Sequence, residues 1–454
     1  MAVINHVHLS ELEDEVRFDS QYYMPKNMLF EEEIKAFPTI CLGTVALITD
    51  GQHGYFKLDE SSEIRQITAK CIKEGLVDKA NADRLSHITH NNNLRSSLAV
   101  NDVLVTTAGT IGQIGLVTEE IPPANIDQDI GRIAIKNSGV SPYFIWAFLQ
   151  SKFGRFQIER FTTGQVQTHL SLKKMKKLRI PLLSNHAEVE EIVKRFLESK
   201  AAAKALYAQA QHLLESELGL DKLKFKKPVG YMARFSALEQ SRRIDAEFFQ
   251  PKYQSIIELI RERPNTTIGS LFHISRGVCL NPSSYNETEG IPYIRIKELS
   301  LSQPLDPINS VKIPPQYVYG NFPTAGNGDY VLAVIGATIG KINLIDELMQ
   351  GSLFSNNTAC LSPRPPIHYP NAMELILRSP IVQHQVQQRM AKTAQEKITD
   401  PELKRILIPC LDSALLSDLE KLCLDSKHNY FASKKLLDQA KTRVEQLIEE
   451  AAAR

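Results

Sequence analysis

Polar and basic side chains are concentrated in two loops of this 454-residue chain, residues 50–56 (DGQHGYF) and 275–285 (SRGVCLNPSSY). Gln, His, Arg, Asn and Ser are the residue types that hydrogen-bond to base edges in a DNA groove. Ordinary surface loops also use them, so composition alone leaves both interpretations open. The two loops occupy the same place in two halves of the chain but differ in chemistry. That difference favours two domains that read different base sequences.

The candidate DNA contacts are polar, basic or aromatic side chains of these loops and of segments near them. They are Gln52, His53, Tyr55, Arg65, Lys70, Gln165, Lys173, Lys174, Lys176, Lys177, Arg276, Asn281, Ser283, Tyr285, Arg295, Lys297 and Lys341.

A basic run covers residues 173–179, where four lysines and Arg179 follow the polar segment 162–169 (TTGQVQTH). A charge run of this kind is usually a solvated surface. Beside small polar residues it also suits contacts with DNA phosphates. The corresponding segment of the second half, residues 400–405 (DPELKR), carries a weaker charge.

Two glycine turns, residues 109–115 (GTIGQIG) and 336–340 (GATIG), have backbone amides that could hold an anion. Neither turn matches the P-loop or the dinucleotide-binding pattern, and each is followed by a predicted strand rather than a helix. We therefore favour tight structural turns, with a phosphate contact as the second interpretation.

No pattern typical of a catalytic site occurs in the chain. Residues 281–285 (NPSSY) lack the second proline of the loop that holds the target base in amino-methyltransferases, and no Walker loop or metal-spaced histidine set occurs. His53 and His169 are isolated candidates for a general base, and a lone histidine is more often a bystander. We expect a non-enzymatic chain without catalytic residues or a metal site.

Two long helices are predicted to position these segments. In His186–Leu218 apolar residues recur at spacings of three and four, as in a coiled coil, and no Pro or Gly interrupts the helix. A second helix is predicted from Ser413 to Glu450, although residues 426–435 (SKHNYFASKK) interrupt its apolar seam. Each narrow stripe needs a partner, so we expect the two helices to pair antiparallel. The predicted seam residues are Ile192, Phe196, Leu206, Leu213, Leu437, Val444 and Leu447.

The rest of the chain is an internal duplication. Residues 17–26 (RFDSQYYMPK) return as 243–252 (RIDAEFFQPK), and residues 102–112 (DVLVTTAGTIG) return as 329–340 (DYVLAVIGATIG). Each copy is predicted to contain a short helix, strands on both sides of the glycine turn, and a closing helix. The closing helices are predicted at Tyr143–Phe161 and Ala372–Met390.

Composition sets few limits on function. Lys and Arg number 53 against 52 Asp and Glu, so any surface for nucleic acid must be a local patch. The six cysteines show no metal-ligand spacing, and no apolar run is long enough to cross a membrane. We expect a reduced, cytoplasmic protein that has no contact with a membrane.

The ordered, duplicated motifs resemble those of the DNA specificity subunits of bacterial type I restriction-modification systems. The resemblance covers nearly the entire chain. Its motifs are RFDSQYYMP and RIDAEFFQP, DGQH (50–53), ITAKCIKEG (67–75), Gly277 with GIPYI (290–294), NDVL (101–104) with GTIG (109–112), GDYV (328–331) with TIG (338–340), and GQVQTH (164–169) before Ile180-Pro181.

The resemblance implies an α+β fold with two β-rich target-recognition domains, related by a pseudo-twofold axis and joined by a long antiparallel coiled-coil helix pair. The implied domains are residues 1–183 and 231–411, with a central helix at 184–220, a linker at 221–230 and a C-terminal helix at 412–454.

The implied partners are double-stranded DNA with a bipartite site, two adenine methyltransferase subunits and ATP-dependent restriction subunits. S-adenosylmethionine, ATP and Mg would be bound by those partners, with no cofactor in this chain. Two alternatives from other classes are a specificity-like scaffold of a phage-defence complex that reads no sequence, and an uncatalogued nuclease.

Overall fold

A computed structural model describes residues 25–452, except 55, 137–138, 163–167, 184, 224–229, 287, 309, 319–321 and 392–395. The chain divides into two compact units. Unit 1 contains Met1–Lys200 and Phe431–Arg454, and unit 2 contains Ala201–Tyr430. Helices and strands are mixed in both units, which confirms the predicted α+β class.

The strands of unit 1 are, in chain order, β1 Thr39–Cys41, β2 Ala46–Asp50, β3 Arg65–Ile67, β4 Ile72–Lys73, β5 Leu76–Val77, β6 Asp83–Arg84, β7 Val103–Thr106, β8 Ile114–Leu116, β9 Ala124–Ile126, β10 Ile130–Ile135 and β11 Arg179–Pro181. Its helices are α1 Pro25–Lys35, α2 Leu42–Val45, α3 His87–Asn92, α4 Pro142–Gln150, α5 Lys152–Phe161, α6 Leu172–Lys176 and α7 His186–Leu218, of which α7 belongs to this unit as far as Lys200.

The strands of unit 2 are β12 Asn265–Thr267, β13 Phe272–Arg276, β14 Ile291–Ile294, β15 Lys312–Ile313, β16 Thr324–Ala325, β17 Tyr330–Ala333, β18 Ile342–Leu344, β19 Ser352–Phe354, β20 Thr358–Pro363 and β21 Leu407–Pro409. Its helices are the remainder of α7, then α8 Phe235–Ser241, α9 Pro251–Arg261, α10 Ile268–Leu271, α11 Pro370–Arg378, α12 Pro380–Arg389, α13 Asp400–Lys404 and α14 Ser413–Ala452, of which α14 belongs to this unit as far as Tyr430.

Both units contain the same strand arrangement. The order β2-β10-β7-β8 in unit 1 corresponds to β13-β20-β17-β18 in unit 2, and β1–β11 corresponds to β12–β21. A parallel pair lies beside each sheet, β3 with β9 and β14 with β19. The central strands β7 and β17 are buried along their whole length, which explains their unbroken apolar sequences. The duplication seen in the sequence is therefore a duplication of topology.

Glycines at equivalent positions show why the repeat is retained in detail. A Cβ atom on Gly51 would collide with the carbonyl oxygen of Ile126, and one on Gly277 would collide with that of Phe354. Only glycine permits the backbone of the loops after β2 and β13 to approach the neighbouring strand so closely.

The closing helix of each copy is broken, which the sequence pattern did not predict. Ser151, in an extended conformation (φ −67°, ψ 165°), separates α4 from α5, and Ser379 separates α11 from α12 in the same way. Ser151 Oγ donates a hydrogen bond to Phe148 O at 2.7 Å, which satisfies a carbonyl at the end of α4. Pro380 begins α12 and disfavours helical geometry at the residue before it.

The long helix α14 continues through the segment predicted to interrupt it. Ser426, Tyr430 and Ser433 are buried and keep the spacing of four and three between the apolar residues on either side. Ser426 Oγ donates to the carbonyl of Ala203 in α7 at 2.8 Å. At Ser426, a small hydroxyl residue with a satisfied hydrogen bond therefore takes the place of leucine.

The bounds of α7 agree with the prediction, but its buried stripe only partly follows the predicted seam. Phe196 is buried as predicted, while Val193 and Leu214 are buried rather than Ile192 and Leu213. The latter two are partly buried against the same clusters. The alanine-rich middle of α7 gives no signal that would have fixed the rotation of the stripe.

None of the helices in the described ranges is long and apolar enough to span a membrane.

Candidate nucleic-acid interface

Three loops of unit 1 meet at one end of the six-stranded sheet. Gly51 N, after β2, donates to Asp127 O at 3.1 Å, and Thr107 N, after β7, donates to Asp129 O at 2.8 Å. Leu170 N donates to Thr107 O at 3.0 Å, which brings the approach to α6 to the same end. The topology thus brings together the loop after β2, the glycine turn and the basic run, which lie far apart in sequence.

The loop after β2 presents polar side chains to solvent. His53 is 71% exposed, and its Nε2 lies 3.5 Å from Asp50 Oδ2. Asp50 also forms an ion pair with Arg95, which is 67% exposed. Sequence patterns did not single out Arg95, because it lies in a different loop and approaches Asp50 only through the fold. Both side chains are available to a ligand that approaches this end of the sheet.

Asp127 is a second site residue that the sequence did not reveal. Burial raises its pKa to about 6, and the neighbouring charge of Asp129 adds to the shift. The backbone N–H of Asp129 donates to Asp127 Oδ1 at 3.1 Å. Gln52 Oε1, beside it, is buried and makes no hydrogen bond to any described residue. A buried amide oxygen of this kind needs a hydrogen-bond donor, which solvent or a ligand can supply.

The basic run forms the short helix α6. Ser171 Oγ accepts a hydrogen bond from Lys174 N at 3.4 Å and begins the helix. Met175 is fully buried, whereas Lys173, Lys176 and Lys177 are exposed. One apolar anchor therefore holds a helix whose lysines point outward. In unit 2, Leu403 anchors α13 in the same way with fewer cations.

The glycine turns serve the fold. Gly109 and Gly112 have φ values of 67° and 82°, and Gly336 and Gly340 have values of 98° and 99°. Gly112 N donates to Thr106 O at 3.0 Å, and Gly340 N donates to Ala333 O at 3.0 Å. These bonds close tight turns between adjacent strands, in keeping with the structural interpretation.

In unit 2 several predicted contact residues are held by intramolecular partners. Arg276 pairs with Asp400 and donates to Ile398 O at 3.3 Å. Arg295 pairs with Glu298, and its guanidinium carbon lies 5.0 Å from the centroid of the Tyr285 ring. These side chains are ordered before any ligand arrives.

The other predicted residues of unit 2 are polar surface groups or lie at turns. Asn281 and Ser283 are exposed, and Asn281 Oδ1 accepts from Ser283 N at 3.0 Å. Lys297 is 69% exposed, while Lys341 is partly buried beside its glycine turn. In unit 1, Arg65 is partly buried in β3, and Lys70 is 53% exposed with Asp83 at 3.5 Å. Tyr55 and Gln165 lie outside the described residues.

No group of three or more His, Cys, Asp or Glu in the described ranges is arranged to hold a metal ion. The six cysteines are free thiols.

Comparison with known proteins finds similarity to one family over part of the chain. Residues 79–203 match the family described as type I restriction modification DNA specificity domain. That segment includes the glycine turn, α6 and the first half of α7. The specificity subunit of the EcoBI type I restriction enzyme of Escherichia coli is 31% identical over 143 residues. That match spans 32% of this chain and 30% of the relative's length.

Two solved structures are similar to nearly the whole chain. The S subunit of a type I restriction-modification system from M. genitalium has a TM-score of 0.44 at 13% identity, over 91% of this chain and 95% of its own. The HsdS subunit from Thermoanaerobacter tengcongensis has a TM-score of 0.29 at 15% identity, over 91% and 96%. Both scores lie below 0.5, so these similarities carry no functional conclusion.

Residues 79–203 are therefore similar to a type I restriction modification DNA specificity domain. The chain spans 30% of the length of the specificity subunit that it matches.

Proposed function

We propose that this chain is the DNA-recognition subunit of a type I restriction-modification complex and reads a bipartite site, one half with each unit. The observation that carries the proposal is the duplicated topology with unlike side chains at equivalent loops. Gln52 and His53 follow β2 in unit 1, and Val278 and Cys279 follow β13 in unit 2. A repeated scaffold with different contact groups suits the recognition of two different half-sites.

The exposed lysines of α6 support a role in DNA binding. Lys173, Lys176 and Lys177 lie at the sheet end that also presents His53 and Arg95. Lysine contacts with phosphates supply affinity without sequence preference, while contacts with base edges supply specificity. In this proposal, the lysines of α6 contact the phosphate backbone of the DNA. The loop after β2 contacts the base edges. The predicted contact residues named above, including those outside the described ranges, are proposed to share these two roles.

We further propose that α7 and α14 pair antiparallel as a coiled coil that sets the distance between the half-sites. In unit 1, Arg443 Nη2 of α14 lies 2.8 Å from Glu188 Oε2 of α7. In unit 2, Ser426 of α14 bonds to Ala203 of α7. Residue numbers fall along α14 as they rise along α7, as antiparallel pairing requires. An approximate twofold axis between two recognition domains would follow from this pairing.

The proposed domains are residues 1–183 and 231–411 for target recognition, 184–220 and 412–454 for the helix pair, and 221–230 for the linker. The helix pair would also dock two adenine methyltransferase subunits, which bind S-adenosylmethionine. Restriction subunits that use ATP and Mg would complete the complex. This chain would contribute recognition and no catalytic group.

The test uses the chain together with its cognate adenine methyltransferase and S-adenosylmethionine. Methylation of a pool of randomised duplexes is expected to select one bipartite sequence. Equal methylation of all duplexes, with the complex assembled, would contradict the proposal.

A further inference from the structure

The β4–β5 hairpin of unit 1 contacts both long helices of that unit through one carboxylate. Glu74 at the hairpin tip accepts a hydrogen bond from Lys200 of α7 on Oε2. Lys434 Nζ of α14 lies 3.1 Å from Oε1 of the same carboxylate. The three side chains are between 19% and 27% exposed. Each oxygen of Glu74 therefore takes a cation from a different helix.

The hairpin is fixed rigidly to the rest of the unit. Gly75 O accepts hydrogen bonds from Trp146 Nε1 at 2.7 Å and from Leu116 N at 2.9 Å. Trp146 is fully buried and stacks on Phe196 of α7 with 5.3 Å between ring centroids. A Cβ atom on Gly75 would lie 2.7 Å from the Trp146 ring, so only glycine fits there. The backbone of the tip thus has little freedom to move.

Glu74 is an unfavourable residue for this turn. Ile72 pairs with Val77 and Lys73 with Leu76, which leaves a two-residue turn with φ values of 49° at Glu74 and 79° at Gly75. Such turns favour Asn-Gly, because a Cβ atom at positive φ crowds the following carbonyl oxygen, a cost that Asn tolerates and that Glu does not offset locally. The contacts of the Glu74 carboxylate with the two helices explain why a poor turn residue is found there.

Unit 2 is joined to its part of the helices differently. Its equivalent sheet ends at β18, with no counterpart of β4 and β5 in the order of the described strands. There, Tyr207 of α7 donates to Leu301 O at 2.9 Å, and Lys427 of α14 lies 3.0 Å from Asp346. The Glu74 contact is thus a feature of the first recognition domain.

We propose that Glu74 is a positioning residue that fixes the first recognition domain on the helices and thereby narrows the range of spacers that the protein accepts. This inference rests on the proposed reading of a bipartite site. Loss of the carboxylate charge removes the anion that Lys200 and Lys434 both contact, at a junction where solvent screens charges only in part. The domain would then occupy more than one position on the helices.

The test is Glu74→Gln in the complex with the cognate methyltransferase. Methylation is measured on duplexes that carry both half-sites with the native spacer or with shorter and longer ones. The rate on neighbouring spacers relative to the native spacer is expected to rise about tenfold, equivalent to about 1.4 kcal/mol. Preference within each half-site is expected to stay unchanged. Glu119→Gln, the same change at an exposed glutamate of unit 1, is expected to keep the native profile.

Lys434→Met removes the cation of α14 and serves as a second variant should Glu74→Gln not fold. It is expected to broaden the spacer profile in the same direction. A wild-type profile in a folded Glu74→Gln or Lys434→Met complex would overturn the proposal while leaving the proposed function intact. Absence of sequence preference in the wild-type complex would instead overturn the proposed function, and this inference with it.

Discussion

Asp127 places an unfavourable buried carboxyl group at the sheet end where the loops after β2 and β7 meet. Its pKa is raised to about 6, mainly by burial, and the folded state therefore holds a proton that the unfolded chain has released between pH 4 and 6. The contribution of Asp127 to stability is greatest below the unfolded pKa. It is lost as pH rises through the folded pKa.

Asp127→Asn is accordingly expected to stabilise the protein at pH 7.5 by about 1 to 2 kcal/mol, with much less effect near pH 4. Thermal unfolding of both proteins across this pH range measures the difference. Glu119→Gln, at an exposed carboxylate of the same unit, is the control. An equal effect of Asp127→Asn at both pH values would show that the buried charge is not its cause.

Lys176 and Lys177 test the division between phosphate and base contacts. The double substitution Lys176→Ala, Lys177→Ala is expected to weaken binding to all duplexes alike. If each lysine contacts one phosphate, the slope of log affinity against log salt should fall in magnitude by about 1.8. Fluorescence anisotropy over a salt series measures this slope, with the exposed Lys421→Ala as control. A loss confined to one sequence, with the salt slope unchanged, would argue against phosphate contacts.

At the scale of elements, the sequence predicted several features well. The ends of α7, the strands around the glycine turns and the common layout of the two copies follow from apolar periodicity and turn residues. The break at Ser151 could not be predicted, because the segment around it remains apolar and helix-compatible on both sides. The approach of Arg95 to Asp50 and the burial of Asp127 depend on strand order, which no local pattern encodes. For the same reason the contacts of Glu74 with the two helices could not be predicted.

The middle of α14 gives a prediction about packing. Ser433 is fully buried where a regular coiled coil would carry a leucine. Ser433→Leu would make the apolar pattern more regular, yet it is expected to destabilise the protein by about 1 to 3 kcal/mol, because the added volume has no space. Chemical denaturation measures the change, and Ser417→Leu on the exposed face of α14 is the control. A gain in stability for Ser433→Leu would mean that the helix has room at this position.

At the scale of the whole molecule, duplication is the feature that sequence and structure share most fully. The two units share the order of four central strands, equivalent glycines at the close approaches and equivalent turns. They differ in the loops after β2 and β13, with His53 near Asp50 in unit 1 and an exposed Asn281 and Ser283 in unit 2. The two copies therefore share a scaffold and differ in the side chains that their loops present.

The most direct measurement is the methylation specificity of the assembled complex carrying His53→Ala or Asn281→Ala. Methylated duplexes from a randomised pool are sequenced for each variant and for wild type. His53→Ala is expected to relax the sequence of one half-site, and Asn281→Ala that of the other, each by about 1 to 3 kcal/mol of discrimination. Relaxation of the same half-site by both variants, or of neither, would contradict the assignment of one half-site to each unit.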